Sequence, residues 1–338
     1  MADLARAYMQ KYDIPALSIA VGYAGKLVYR EAIGWADREQ REAATPNNLF
    51  RIASVTKPIT SVAIFSLIEE GRLGLGDRVF GRDAVFGFDF GRPPYHPHVD
   101  QIAIHHLLTH TAGGWDNDRN DPMFSHPELN HTQLIERTLR DRPLDHVPGQ
   151  VYAYSNFGYC LLGRVIEKIT RQPYDAYVRE AVLKRCGVTD MAIAGNTLAQ
   201  RRPGEVRYYG QGGDPYGMNV TRMDSHGGWI ARPADLVKFF MHVDGFPEPP
   251  NILKPPTIRT MITGSSANPG YAKGWSVNKA GNWWHTGSLP GSATIAVRTH
   301  SGFCWAAFVN TRRQNSPLAG DLDKLVWDMV RKVKGWSV

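Results

Sequence analysis

Ser54-Val55-Thr56-Lys57 sets a hydroxyl and an amine three residues apart, just ahead of Ile59, Val62, Ala63 and Leu67, whose spacing is helical. Residues three apart on a helix share a face with Cβ atoms about 5–6 Å apart, so the Lys57 amine can reach the Ser54 hydroxyl. A serine hydroxyl is weak at its own pKa and needs a base; a lysine whose ammonium is disfavoured by burial or by neighbouring cations supplies one. Taken alone the spacing is common, and a surface lysine on a first helical turn is the plain alternative. Pro58 disfavours helical geometry at Lys57 and removes a donor. The reading is therefore an irregular first turn that leaves backbone N–H groups near Ser54 free for a substrate oxygen.

Two further triplets carry chemistry. Tyr154-Ser155-Asn156 follows the Pro148-Gly149 turn and precedes the amphipathic run from Leu161 to Ile169, a helix lead-in where side chains are presented rather than buried. A phenol between cationic groups has a lowered pKa and relays a proton, and an asparagine beside it offers a donor and an acceptor to a substrate amide. With 14 tyrosines in the chain, a packing role for Tyr154 is the alternative. His285-Thr286-Gly287-Ser288 lies at the end of a late strand. Gly287 there lets the backbone approach a ligand closely, and the Ser288 N–H joins that of Ser54 as an oxyanion hole.

Histidines raise a metal question, since His106 and His110 have i, i+4 spacing and His96, His98, His126, His131 and His146 crowd the same third of the chain. No His-Glu-x-x-His occurs, and His110-Thr111-Ala112-Gly113 reads as a helix ending on glycine, so no metal and no cofactor are expected. The chain has 338 residues, is 43% hydrophobic and carries a net charge of +7, which suffices for one large core or two coupled ones. Its Lys and Arg residues are scattered among Asp and Glu, which argues against nucleic acid as a partner. Cys160, Cys186 and Cys304 are an odd, widely spaced set and read as buried thiols. No apolar run approaches a membrane span. Met1 to Tyr12 lacks the apolar segment of a secretory leader, so the chain as written reads as cytoplasmic, or as periplasmic or secreted if a leader has been removed. The oligomeric state is left open.

The elements that must position these residues are strands at both ends and helices between. Leu17–Val21 and Lys26–Tyr29 form a hairpin around Ala24-Gly25. Phe50 to Gly71 is helical, Leu73 to His98 is a long surface excursion, Pro173 opens a helix after Arg164, and Arg232-Pro233 starts another. Strands return at 275–277, 283–286, 294–297 and 304–309, and a helix closes the chain from Leu318 to Val333. The result is an α+β fold, an antiparallel sheet completed by the C-terminal third with a helical region inserted. Residues 1–58 and 226–338 make the α/β part and 59–225 the mainly helical part.

The set Ser54-x-x-Lys57, Tyr154-Ser155-Asn156 and His285-Thr286-Gly287 resembles the serine β-lactamase and penicillin-binding protein superfamily on its class C side, which also holds D-Ala-D-Ala carboxypeptidases, D-aminopeptidases and β-lactamase-like carboxylesterases. Glu69 to Leu73, His106 to Thr111 and Tyr154 through Ile169 extend the likeness along nearly the whole chain. The resemblance implies a site in the cleft between a sheet part and a helical part. There Ser54 attacks a carbonyl, Lys57 and Tyr154 share proton transfer, Asn156 holds the substrate's amide or ester side chain and Thr286 contacts a carboxylate or polar group. It also turns the histidines into structural residues. Class C β-lactamases usually carry lysine where this chain has His285, whereas peptidases and esterases of the family often have histidine, only partly charged near neutral pH. Trp283-Trp284 and Tyr208, Tyr209 and Tyr216 read as walls of an apolar cleft. The expected activity is therefore hydrolysis of small esters with at most weak β-lactam turnover. A D-amino-acid peptidase or penicillin-binding protein is the nearer alternative, and a non-catalytic binding protein of the same fold the distant one. The Gly-x-Ser-x-Gly elbow of α/β-hydrolases is absent.

Overall fold

The computed structural model describes residues 1–118, 120–333 and 335–336. Ala24 and Gly25, at φ 48° and 78°, close the first hairpin; two positive φ values in a two-residue turn match the twist of the strands they join. These strands are β1 (Ala16–Tyr23) and β2 (Lys26–Asp37), with the short β3 (Glu42–Ala43) outside β2. The late apolar runs become β4 (Ser276–Val277), β5 (Trp283–Leu289), β6 (Ser292–Arg298) and β7 (Phe303–Val309). Among the described residues these seven form one antiparallel sheet in the order β3-β2-β1-β7-β6-β5-β4. β1 pairs with β7 from Leu17↔Val309 to Tyr23↔Phe303, so the two ends of the chain meet at the centre of the sheet. The architecture is the predicted α+β one.

Alternation along the strands divides the sheet into two apolar faces. Leu17, Ile19, Val21, Ile295, Trp305 and Ala307 pack against the helices Ala2–Tyr12 and Leu318–Lys332. The closing helix buries Leu318, Leu322, Leu325, Val326 and Met329 at spacings of three and four, each worth ~1.5–3 kcal/mol when taken from water. The first helix is absent from the sequence reading, although Ala5, Tyr8 and Tyr12 bury its inner face at the same spacing. On the other face Ala16, Ala20, Ala306 and Phe308 join a core that runs through the helix Pro233–Met241 into the helices Thr56–Glu69 and Asn156–Thr170. Every residue from Thr56 to Leu67 is buried, as in helices at the centre of a large protein. All three cysteines are free and buried.

Two expectations need correction. Phe50 and Arg51 form a short strand rather than the start of the helix, which begins at Thr56, because backbone pairing with Trp229–Ala231 holds them extended. The stretch Leu73 to His98 has no helix or strand, but it is not merely a surface excursion, because Val79, Phe80 and Phe86 are buried in the main core. Single apolar anchors fasten an irregular segment without producing the periodicity that would announce them in sequence.

Gly287 on β5 explains how the sheet meets the serine. A Cβ there would lie 2.2 Å from the Ile52 carbonyl oxygen and 2.3 Å from Thr294 Oγ1. The absent side chain admits the chain's own turn ahead of Ser54, where the sequence reading had it admit a ligand. Gly287→Ala is expected to push strand and turn apart and to destabilise the fold by ~1–3 kcal/mol, as overpacking does. Urea unfolding checks this: the midpoint should fall at unchanged slope, and a wild-type midpoint would contradict the tight contact.

Candidate active site

The chain enters the site through the short strand Phe50–Arg51, which pairs with Trp229–Ala231, and Ile52 N–H donates to the Trp229 carbonyl at 3.0 Å. Ala53 then takes φ +48°, a conformation that is strained for a residue with a Cβ and is found at functional turns. Ser54 sits on the following 3-10 turn, and the helix begins at Thr56. Pro58 falls in the first helical turn, where its missing N–H would have had no intrahelical partner, so the expected irregularity is confined to the 3-10 turn.

Lys57 is fully buried, and its Nζ lies 3.0 Å from Ser54 Oγ, 2.7 Å from Asn156 Oδ1 and 3.2 Å from the His226 carbonyl oxygen. Burial pulls its pKa down to about 7, with Asp121 as the opposing influence. A neutral amine has two N–H donors and one lone pair. Asn156 Oδ1 and the His226 carbonyl can only accept, so they take both N–H bonds and leave the lone pair for the Ser54 hydroxyl.

The Tyr154 ring lies over the same amine, 4.7 Å from Nζ to the ring centroid, and its phenol hydrogen-bonds with Ser54. Its pKa is raised, chiefly by burial, where the sequence reading had it lowered. The reason is that fixed cations are absent: Lys57 loses its proton through a pKa of about 7, and burial holds His110 and His285 well below the usual imidazole range. Tyr154 therefore stays a hydroxyl that can donate.

Asn156 also departs from expectation, being buried rather than presented. Its Nδ2 donates to Asp121 Oδ2 at 2.7 Å while Oδ1 accepts from Lys57, so both ends of the amide are engaged inside the protein. Asp121, absent from the sequence reading, is itself buried and accepts the Met123 N–H at 2.9 Å through Oδ1.

His285 is buried behind the exposed Thr286 and Ser288 of β5. A directed chain of bonds fixes its proton. His110 Nδ1 accepts the Ser155 N–H at 3.1 Å, so His110 Nε2 carries the hydrogen and gives it to Tyr271 Oη, 3.1 Å away. Tyr271 then donates to His285 Nε2 at 3.0 Å, and His285 Nδ1–H donates to the Thr286 carbonyl at 2.6 Å. Burial and then Lys57 pull the His285 pKa down to about 3; at neutral pH it is uncharged, not partly charged. Neither His110 nor Tyr271 stood out in sequence as part of this site. Among the described residues no group of three or more His, Cys, Asp or Glu is placed to hold a metal, and His106 caps the Ala103 N–H through Nδ1 at 3.1 Å.

The predicted aromatic walls lie elsewhere. Tyr208 and Tyr216 stack on buried Arg51, and Trp283 lies against Arg298. The rings beside Lys57 are Tyr154 and Tyr159, with Tyr271 packed on Tyr154 and the half-buried Tyr152 on Tyr271. The open hollow lined by Phe90, Arg92, Tyr95 and Arg140 contains none of these groups.

The family model described as beta-lactamase matches residues 1–326. The chain belongs to the beta-lactamase family. Among curated relatives of this beta-lactamase family chain, Protein flp of Staphylococcus aureus (strain COL) is 31% identical over 208 residues, covering 61% of this chain and 40% of that protein. Esterase EstB of Burkholderia gladioli is 31% identical over 241 residues, covering 66% of this chain and 58% of EstB. The chain thus matches well under two thirds of the length of either relative. The crystal structure of D-amino acid amidase from Ochrobactrum anthropi SV3 superposes with a TM-score of 0.78 at 21% identity, covering 98% of this chain and 99% of the amidase, and shows the shared fold. No helix among the described residues is long and apolar enough to cross a membrane.

Tyr271→Phe leaves His110 Nε2–H and His285 Nε2 without their shared partner, and unsatisfied buried groups of this kind cost ~1–3 kcal/mol each. Chemical denaturation should show a loss of that order, and an unchanged midpoint would mean that the ring nitrogens find other partners.

Proposed function

We propose that the protein is a serine hydrolase that forms an acyl-enzyme on Ser54 and acts on small carboxylic esters, with at most weak β-lactam turnover. The observation that carries this reading is Lys57 Nζ standing 3.0 Å from Ser54 Oγ with two carbonyl acceptors on its other sides, an arrangement that turns the lone pair of the neutral amine toward the serine. Ser54 O–H passes its proton to Lys57 Nζ as Oγ attacks the substrate carbonyl. The N–H groups of Ser54 and Ser288 stabilise the oxyanion. When the ester bond breaks, the leaving oxygen takes a proton from Tyr154, which is restored from the Lys57 ammonium. Water then adds to the acyl-enzyme, giving its proton back through the same pair. Thr286 contacts the leaving group, Gly287 keeps β5 against the nucleophile turn, and Asn156 orients Lys57 in place of the substrate.

Neutral His285 supports a substrate whose leaving group carries no carboxylate, because no fixed positive charge stands where a lysine would in β-lactam recognition. The relative named esterase EstB fits that substrate class. A second reading, cleavage of D-amino-acid amides or peptides, is favoured by the full-length superposition on the D-amino acid amidase. Both readings share the acyl-enzyme.

Intact-mass spectrometry with p-nitrophenyl acetate, nitrocefin, a D-amino acid amide and a D-Ala-D-Ala peptide tests both. Rapid ester turnover with a transient Ser54 adduct is expected. Amide turnover exceeding that of the ester would favour the second reading, and Ser54→Ala retaining full ester turnover would overturn both. Lys57→Met should lower kcat/KM by about 10²–10⁴-fold, the usual loss for a general base. The pH dependence follows from the sign of the shift. The lysine pKa is depressed to about 7, so the free base is present above that value and is protonated below it. kcat/KM should therefore fall through an acid limb near pH 7, and a profile flat from pH 5 to 8 would contradict Lys57 as the base.

A further inference from the structure

An asparagine side chain can face a lysine with either end, and only one end leaves Lys57 a base. With Oδ1 toward Nζ, the amine donates and keeps its lone pair for Ser54, as found at 2.7 Å. With Nδ2 toward Nζ, the lone pair would accept from Asn156 and an N–H would point at Ser54, and the serine proton would have nowhere to go. Something must hold the amide one way round. We propose that Asp121 is a positioning residue that fixes the orientation of the Asn156 amide and thereby keeps the lone pair of Lys57 on Ser54. This inference rests on the acyl-enzyme reading above.

The geometry is specific. An ionised carboxylate only accepts, and Asp121 Oδ2 sits 2.7 Å from Asn156 Nδ2, so flipping the amide would set two acceptor oxygens face to face. Asp121 cannot swing away easily, since its other oxygen holds the Met123 N–H at 2.9 Å. The loop that carries it is clamped from outside: Arg222 donates to the carbonyls of Met123, Ser125, His126 and Leu129 at 2.6–3.0 Å. Asn156 is held from its backbone too, its N–H donating to Asn117 Oδ1 at 2.9 Å.

The charges around the amine make the carboxylate matter for its proton as well. His110, His226 and His285 face Lys57 from three other segments and are all neutral through burial, while Tyr154 and Tyr159 present ring faces. Asp121 is the group that acts to raise the Lys57 pKa. Asp121 in turn is acted on by Lys57, Asn156, the Met123 N–H and Arg142, and Arg142 donates to the Asn120 carbonyl at 2.6 Å. Burial raises the Asp121 pKa against these partners.

Asp121→Asn keeps the shape and removes both the charge and the acceptor-only character. kcat/KM for p-nitrophenyl acetate and the rate of Ser54 labelling by a fluorophosphonate should fall on the order of ten- to a hundredfold, as when the outer-shell partner of a reactive group is lost. The acid limb should move to lower pH, because the ammonium loses its stabilising carboxylate. The double variant Asp121→Asn, Asn156→Asp restores an acceptor-only group facing Lys57 with a donor behind it. It should recover labelling relative to the single variant when each is assayed above its own acid limb, with the limb of the double variant above that of the wild type because a carboxylate now touches the amine. An Asp121→Asn limb that coincides with the wild type, or a double variant no better than the single one, would overturn the inference while leaving the serine-hydrolase reading in place. Wild-type protein that the fluorophosphonate leaves unlabelled would overturn both.

Discussion

An amine taken wholly out of water must either lose its proton or be met by a carboxylate. In this protein the carboxylate is kept one residue away. Asn156 stands between Lys57 and Asp121, so the amine touches carbonyl oxygens and a hydroxyl, and burial wins the contest over its charge. Direct contact with Asp121 would have made a buried ion pair and moved the pH at which the free amine appears upward. The neutral amide passes on orientation and only part of the charge. The surroundings follow the same rule: three histidines near the amine are neutral through burial, and the phenol above it stays protonated.

Holding a polar cluster dry requires rigid walls, and two buried arginines, Arg51 and Arg222, supply them. Arg51, three residues before Ser54, donates to the carbonyls of Pro215 and Gly195 and pairs with buried Glu205 at 3.9 Å. Its own N–H donates to Tyr208 Oη at 2.8 Å. Arg222 does the same for the loop that carries Asp121. Each guanidinium satisfies several backbone carbonyls of irregular segments that have no ladder of their own. Loops are thus fixed as firmly as strands where the chemistry needs them. The sheet contributes a flat backing: Gly287 allows β5 to lie against Ile52 and Ala53, which sets the height of Ser54 over the strand that carries Thr286 and Ser288.

How much of this could be read in the chain depended on whether a feature was local. The hairpin at Ala24-Gly25, the late strands and the closing helix are short-range patterns, and they appear where the sequence puts them, with β5 continuing three residues past Thr286. Ser54 and Lys57 are legible for the same reason, being one helical turn apart. Asp121 is not, because it lies 35 residues before Asn156 in an irregular loop with no periodicity and no motif around it. Tyr271 and His110 are 161 residues apart and meet only in the folded chain, where Tyr271 bridges His110 to His285 of β5. The direction of the Tyr154 shift was misjudged because a motif shows which groups are neighbours, while burial decides which of them are charged. The tryptophans beside His285 misled in a similar way: Trp284 packs with the far-face cluster, and Trp283, on the same strand face as His285, is taken up in the main core against Arg298 and Trp275.

The central claim is that Lys57 gives up its proton near neutral pH rather than near pH 10, and a ¹³C NMR titration of protein labelled at the lysine ε-carbon, with the Lys57 signal assigned by its loss in Lys57→Met, addresses it without any substrate. The signal should move through a midpoint near pH 7. A Lys57 signal that holds its ammonium position until about pH 10, as an unperturbed lysine does, would contradict the account.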